Sequence, residues 1–114
     1  MKVLAFEDSV DIEALLISGG INLEKIEFKQ YWDSHNYLER ISMFSPDILM
    51  LDHYMPPQRG LDVLKGLLAS EVQRPRTIVA MSSASMANNA MLNAGADIGI
   101  VKFNVPELEI WNQS

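Results

Sequence analysis

Pro46–Gly60 reads PDILMLDHYMPPQRG: four apolar residues, Ile48 to Leu51, run directly into one carboxylate, Asp52, and then into a turn set by Pro56, Pro57 and Gly60. A run without polar alternation is the pattern of a strand covered on both faces, as in a parallel sheet wrapped by helices. The prolines lack a backbone N–H and hold a fixed ring torsion, so they stop the strand and give the loop one shape. Open sheets of this class keep their ligand crevice beyond the carboxyl ends of the strands, which is where Asp52 falls. Taken alone, Asp52 also reads as a turn or helix-capping aspartate.

Outward from this strand the same alternation repeats. Lys2 to Phe6 is apolar and ends at Glu7-Asp8, and Ser9 is expected to cap a helix carrying Val10, Ile12, Leu15 and Leu16 that Gly19-Gly20 closes. Lys25 to Trp32 alternates Ile26, Phe28 and Gln30 with Glu27, Lys29 and Tyr31, a half-exposed edge strand, and Ser34 is expected to open a helix through Tyr37, Leu38 and Ile41. Leu61, Val63, Leu64, Leu67 and Leu68 mark a third helix, and Thr77 to Met81 a buried strand ending at Ser82-Ser83. Ser85 to Ala94 reads as a helix of small and methionine residues closed at Gly95, and Asp97 to Val101 as a fifth strand ending at Lys102. Pro106 to Asn112 leaves room only for a shortened last helix. A βα succession without repeat, linker or low-complexity tract predicts one α/β domain over residues 1–114 with a parallel sheet wound on both faces.

Composition narrows the function. The chain has 9 basic and 15 acidic residues, a net charge of -6, which disfavours nucleic acid and suits cations or basic surfaces. It has no cysteine, so disulfides and thiolate metal sites are excluded. MKVLAF does not make a signal peptide, and no apolar run approaches the roughly 20 residues of a membrane span, so no membrane partner and a cytoplasmic location are expected.

In the flavodoxin-like strand order 2-1-3-4-5, the carboxyl ends of the strands would bring Glu7, Asp8, Asp52, Ser82 and Lys102 to one crevice. Two carboxylates about 5 Å apart repel by about 3 kcal/mol at an effective dielectric of about 20, so such a cluster calls for a cation. A set of oxygen ligands without His or Cys points to Mg²⁺.

At this point the chain resembles the receiver domains of response regulators, of the stand-alone chemotaxis type, over essentially its whole length. Four separated motifs carry the resemblance: VLAFEDS with its acidic pair, ILMLDHYMPPQRG with Gly60 following Asp52, TIVAMSSA with its hydroxyl, and AGADIGIVK. The resemblance implies that Asp52 accepts a phosphoryl group and that Glu7 and Asp8 help hold Mg²⁺, directly or through water. It implies the backbone carbonyl of Tyr54 as a further metal ligand, and Ser82 and Lys102 as contacts of the phosphoryl oxygens. It also implies a histidine kinase or phosphotransfer protein as donor, a downstream protein or a second copy as target, and no enzymatic activity beyond the domain's own phosphorylation and dephosphorylation.

Three departures from the family pattern concern output. Phe103 follows the lysine where the family has a proline across a cis bond, so a trans Lys102-Phe103 peptide is expected. Gly99 stands where a switching aromatic is usual. The short tail is expected to leave part of Ile98, Ile100, Leu108 or Trp111 exposed for a partner. A rival reading is therefore a degenerate receiver acting as a phosphorylation-independent interaction module. A Mg²⁺-dependent phosphatase with an aspartate nucleophile fits less well, because haloacid-dehalogenase-like enzymes need a second aspartate where this chain has Tyr54. His35 and His53 read as surface or packed residues, the methionines as core filler, and Trp32 and Trp111 as packing residues.

Overall fold

The computed structural model describes residues 1–112. Five parallel strands, β1 (Lys2–Phe6), β2 (Glu27–Tyr31), β3 (Ile48–Leu51), β4 (Thr77–Ala80) and β5 (Ile98–Gly99), form one sheet in the order β2-β1-β3-β4-β5. Helices α1 (Ile12–Ser18), α2 (Tyr37–Phe44), α3 (Gly60–Leu68) and α4 (Ser85–Ala94) connect them, and two 3₁₀ segments, Lys102–Glu107 and Glu109–Asn112, follow β5. This is the flavodoxin-like, doubly wound arrangement, with its last helix shortened as expected.

Side chains alternate across each strand, so the sheet divides the interior into two cores. Leu4, Phe6, Leu49, Leu51, Ile78 and Ala80 pack against Ile41, Val63, Leu64, Leu67 and Met91 on one side. Val3, Ala5, Ile48, Met50, Val79 and Met81 pack against Ile12, Leu16, Val105 and Trp111 on the other. All four residues of β3 are buried, whereas the edge strand β2 alternates exposed and half-buried positions.

The boundaries depart from expectation where a polar side chain has a better partner than the helix end. Asp11, not Ser9, caps α1, accepting from the Ala14 N–H at 3.0 Å, because Ser9 is engaged with Glu7. Asn36 stands at the start of α2, since Ser34 is buried and its hydroxyl bonds the backbone of Gln58. β5 keeps only two residues, although Asp97 N–H to the Ile78 carbonyl and Ile100 N–H to the Ala80 carbonyl continue the pairing on either side.

The tail corrects a further expectation. Pro106 cannot donate an intrahelical bond, and the chain there winds as 3₁₀ turns rather than an α-helix. These turns nonetheless close the core: Trp111 is only 9% exposed and its indole N–H donates to the Val105 carbonyl at 2.8 Å, while Ile98, Ile100 and Leu108 pack partly buried around it. The expected open apolar face is thus covered by the chain itself. Trp32, in contrast, is 50% exposed, and Met43 and Met86 are 78% and 85% exposed, so these three do not fill the interior as expected. Met50, Met55, Met81 and Met91 are buried filler as expected. The Lys102-Phe103 peptide is trans.

Candidate functional site

Strand register brings the site together. Phe6 pairs with Leu51, and the Asp52 N–H donates to the Phe6 carbonyl at 3.0 Å, which sets Glu7 beside Asp52 at the end of the β1/β3 ladder. Leu51 pairs with Ala80, and Ala80 with Gly99, so Ser82 and Lys102 emerge at the same end of the sheet. The ammonium of Lys102 lies 2.8 Å from Glu7 Oε1 and 3.7 Å from Asp52 Oδ2. The first is an ion pair at hydrogen-bond distance, and the second is charge proximity only. All three groups are buried.

The two carboxylates differ in what holds them. Glu7 Oε2 accepts from the Ser9 N–H (2.9 Å), the Ser9 hydroxyl (2.9 Å) and the Val10 N–H (2.7 Å), while Oε1 faces Lys102. Burial pushes the Glu7 carboxyl up, but the Lys102 pair and these donors outweigh it and hold the group below its ordinary value. Asp52 has no such cradle. Burial first, and then the neighbouring Glu7 charge, push it up to about 6 against the opposing pull of Lys102. The site therefore contains one secured anion and one carboxylate whose charge is costly without a further cation.

The geometry for that cation is present. One oxygen from each of Glu7, Asp8 and Asp52 lies within 4.8 Å of the others. Asp8 is exposed and carries no hydrogen bond or ion pair among the described residues, and the backbone carbonyl of Tyr54 likewise accepts none. An all-oxygen donor set, with the raised Asp52 as an under-compensated charge, fits a hard divalent cation such as Mg²⁺. Glu7 is held by its three donors at Oε2 and by the Lys102 charge at Oε1, a buried oxygen with no hydrogen-bond partner of its own.

Ser82 is fully buried at the end of β4, and its hydroxyl accepts from the Ala84 N–H at 3.1 Å, leaving its own proton to donate. Among the described residues it makes no hydrogen bond to Glu7 or Asp52; the structure brings Glu7, Asp8, Asp52 and Lys102 into one cluster and leaves Ser82 on an adjoining loop. His53 is 9% exposed and stacks edge-on against Tyr54, a packed histidine as read. His35 is exposed. A cleft of about 500 Å³ lined by Ile41, Ser45, Asp47, Arg74 and Arg76 contains none of the clustered acids.

Three positioning side chains escaped the sequence reading. Gln30 on β2 donates to the carbonyls of Glu7 (3.0 Å) and Val10 (2.8 Å) and accepts from the Ile12 N–H (2.9 Å), fixing the loop that carries the acidic pair. Ser34 donates to the Gln58 carbonyl (2.8 Å) and accepts from the Gln58 N–H (2.7 Å), tying down the loop after Asp52. Asn88, 4% exposed on α4, bonds both Ser82 backbone groups. The available signal was a polar residue in an apolar register: Gln30 at an inward strand position, and Asn88 on the stripe of Ala84, Ala87 and Met91.

Residues 3–109 match the family model described as response regulator receiver domain. A protein-glutamate methylesterase/protein-glutamine glutaminase of Myxococcus xanthus is 35% identical over 101 residues, 84% of this chain but 28% of that protein. A nitrate/nitrite response regulator homologue of Haemophilus influenzae is 38% identical over 63 residues, 55% of this chain and 30% of that protein. The chain thus spans less than a third of the length of these curated relatives. Among solved structures, the response regulator domain of Thermotoga maritima CheB superposes with a TM-score of 0.74 at 22% identity, covering 100% of this chain and 98% of that one. The receiver domain of a Francisella response regulator gives a TM-score of 0.75 at 23% identity, covering 97% and 93%.

Proposed function

The chain belongs to the receiver domains of two-component response regulators, and from that premise we propose that Asp52 accepts a phosphoryl group from a histidine kinase or phosphotransfer protein and that the domain signals by protein contact. The observation that carries the reading is the Lys102 ammonium set between Glu7 and Asp52 beside the three-carboxylate cluster.

Asp52 is the nucleophile: one carboxylate oxygen attacks phosphorus, the phosphorus–nitrogen bond to the donor histidine breaks, and that nitrogen retains the electron pair. Secured by Ser9 and Val10, Glu7 holds Lys102 at the reacting edge of the crevice, where its ammonium can face the equatorial oxygens. Asp8, Asp52 and the Tyr54 carbonyl would hold Mg²⁺, which supplies neutralisation of the incoming phosphoryl charge. Ser82 donates its free hydroxyl proton to the phosphorylated side chain, drawing the loop after β4 toward it. The domain carries out no reaction other than its own phosphorylation and dephosphorylation, and it works in the cytoplasm. Among the described residues no helix is long and apolar enough to cross a membrane.

Incubation with Mg²⁺ and a small phosphodonor, read by mass spectrometry, should add one hydroxylamine-sensitive phosphoryl group that Asp52→Asn abolishes. Label retained in that variant would move the acceptor elsewhere. No Asp52-dependent modification or beryllium fluoride response at all would favour a phosphorylation-independent interaction module.

A further inference from the structure

On the phosphoryl-acceptor reading of Asp52, a response at Ser82 leaves the site through the segments bonded to that residue, and position 99 on β5 carries no aromatic side chain. What occupies the place is specific. A Cβ added to Gly99 would meet Leu92 Cδ1 at 2.8 Å and Cγ at 3.2 Å, and Asn88 Cβ at 3.5 Å, so α4 itself lies over the edge of β5. Asn88 then makes three short hydrogen bonds: its Oδ1 accepts from the Ser82 N–H at 2.8 Å, and its Nδ2 donates to the carbonyls of Ser82 and Ile100, each at 2.9 Å.

One amide thus clamps the Ser82 backbone by both its donor and its acceptor while holding the chain just after β5. The group is nearly fully buried, so each bond that opened would leave an unsolvated polar atom. Ser82 therefore cannot shift far without taking Asn88, and with it α4 and the Ile100 carbonyl. The amide suits the role because it carries both a donor and an acceptor, whereas aspartate has no donor for the two carbonyls and leucine has neither.

We propose that Asn88 is the positioning residue that couples the Ser82 loop to α4 and β5, replacing the missing aromatic with a hydrogen-bonded clamp. The proposal rests on the phosphoryl-acceptor reading of Asp52. It assigns Asn88 no contact with the phosphoryl group, so acceptance and propagation should separate in the right variant.

The test is an amide NMR titration of the whole chain with Mg²⁺ and beryllium fluoride, comparing the native chain with Asn88→Ala, Asn88→Asp and Leu92→Ala. The native chain should show shifts at Ser82, Leu92 and Ile100. In Asn88→Ala the Ser82 shift should persist and the Leu92 and Ile100 shifts should fall at least fivefold. Asn88→Asp, which keeps an acceptor for the Ser82 N–H, should also lose the Ile100 shift and serves if the alanine variant fails to fold. Leu92→Ala, a packing loss without a hydrogen bond, should keep the Ile100 shift. Undiminished propagation in both Asn88 variants overturns the coupling while leaving the Asp52 reading intact, as does a native chain that responds at Ser82 but not at Ile100. A native chain silent everywhere removes the Asp52 reading and the proposal together.

Discussion

The carboxyl ends of β1 and β3 and those of β4 and β5 lie side by side, yet they are held by different forces. At the first pair, buried charge dominates: Lys102 against Glu7 and Asp52, with Glu7 anchored by three donors. At the second pair, neutral hydrogen bonds and contact packing do the work, through Asn88, Leu92 and the Trp111 tail. Charge interactions fall off slowly with distance and answer to cations and pH, while buried neutral bonds are local and break only with their geometry. The two regions should therefore respond to different perturbations, and the comparison fails if they do not.

The largest effect should come from the charged side. Lys102→Ala leaves two buried carboxylates without their cation, which should cost about 4 kcal/mol of stability in metal-free buffer. That still leaves a typical domain folded, given stabilities of about 5–15 kcal/mol. Mg²⁺ should return part of the loss, since linkage contributes about 2.7 kcal/mol at a free concentration about 100 times the dissociation constant. Urea unfolding with and without Mg²⁺ measures both. A variant as stable as the native chain, or one indifferent to Mg²⁺, would show that the pair is not what organises this side.

Next is the neutral side. Trp111→Ala removes a buried indole and its bond to the Val105 carbonyl, and should cost about 3 kcal/mol while leaving Mg²⁺ affinity within about twofold. A tenfold weaker Mg²⁺ titration in this variant would mean that the tail and the acidic crevice act as one unit.

How far each region was legible follows from the same division. Apolar runs ended by Glu7 and Asp52 placed β1 and β3 to the residue, and a stretch of small and methionine residues closed by Gly95 did the same for α4. The strand order had to be assumed, since nothing local in the sequence states which strand lies beside which. Of the residues named for the site, the structure clusters Glu7, Asp8, Asp52 and Lys102, whose charges show in sequence. The roles of Gln30, Ser34 and Asn88 were not legible, because each bonds backbone distant in sequence and only the folded register reveals the partner. The tail was misjudged for a related reason: a stretch of 3₁₀ turns has no clear period, so the inward turn of Trp111 had no pattern to announce it.

A smaller effect, of opposite sign, should follow from Asp52→Asn. The folded carboxyl is raised to about 6 from an ordinary value of 3.8, so the folded state holds its proton more tightly than the unfolded chain does. In metal-free buffer stability is then highest below the unfolded value and declines as pH rises toward about 6. The full shift is about 3 kcal/mol, reduced to about 2 kcal/mol because solvent at the crevice mouth screens the charge. The substituted amide carries no charge to penalise, so the variant should gain about 2 kcal/mol at pH 7 and almost nothing at about pH 4. Glu7 works in the other direction: its lowered value contributes stability above the unfolded carboxylate range that is lost as pH falls. Chemical unfolding across this range in both chains separates the two. A flat difference between them would assign the acid response to Glu7 alone.

The smallest effect tests whether the two regions are independent at their nearest approach. Gly99 does not take a positive backbone torsion, so alanine there is not strained by conformation. Its new Cβ would meet the methyl end of Leu92, a side chain 37% exposed and able to swing outward. Loss of chain freedom in the unfolded state favours the variant by about 0.4–1 kcal/mol, and the displaced Leu92 contact opposes it by a similar amount. Gly99→Ala should therefore change stability by less than about 1 kcal/mol and leave Mg²⁺ affinity unaltered, because no charge moves. What should change is the packing of α4 over β5, visible as altered Leu92 and Ile100 amide signals without any at Asp52 or Glu7. A shift in Mg²⁺ affinity would show that packing at β5 reaches the acidic cluster through Lys102, three residues along the chain, and the division between a charged and a neutral half would no longer hold.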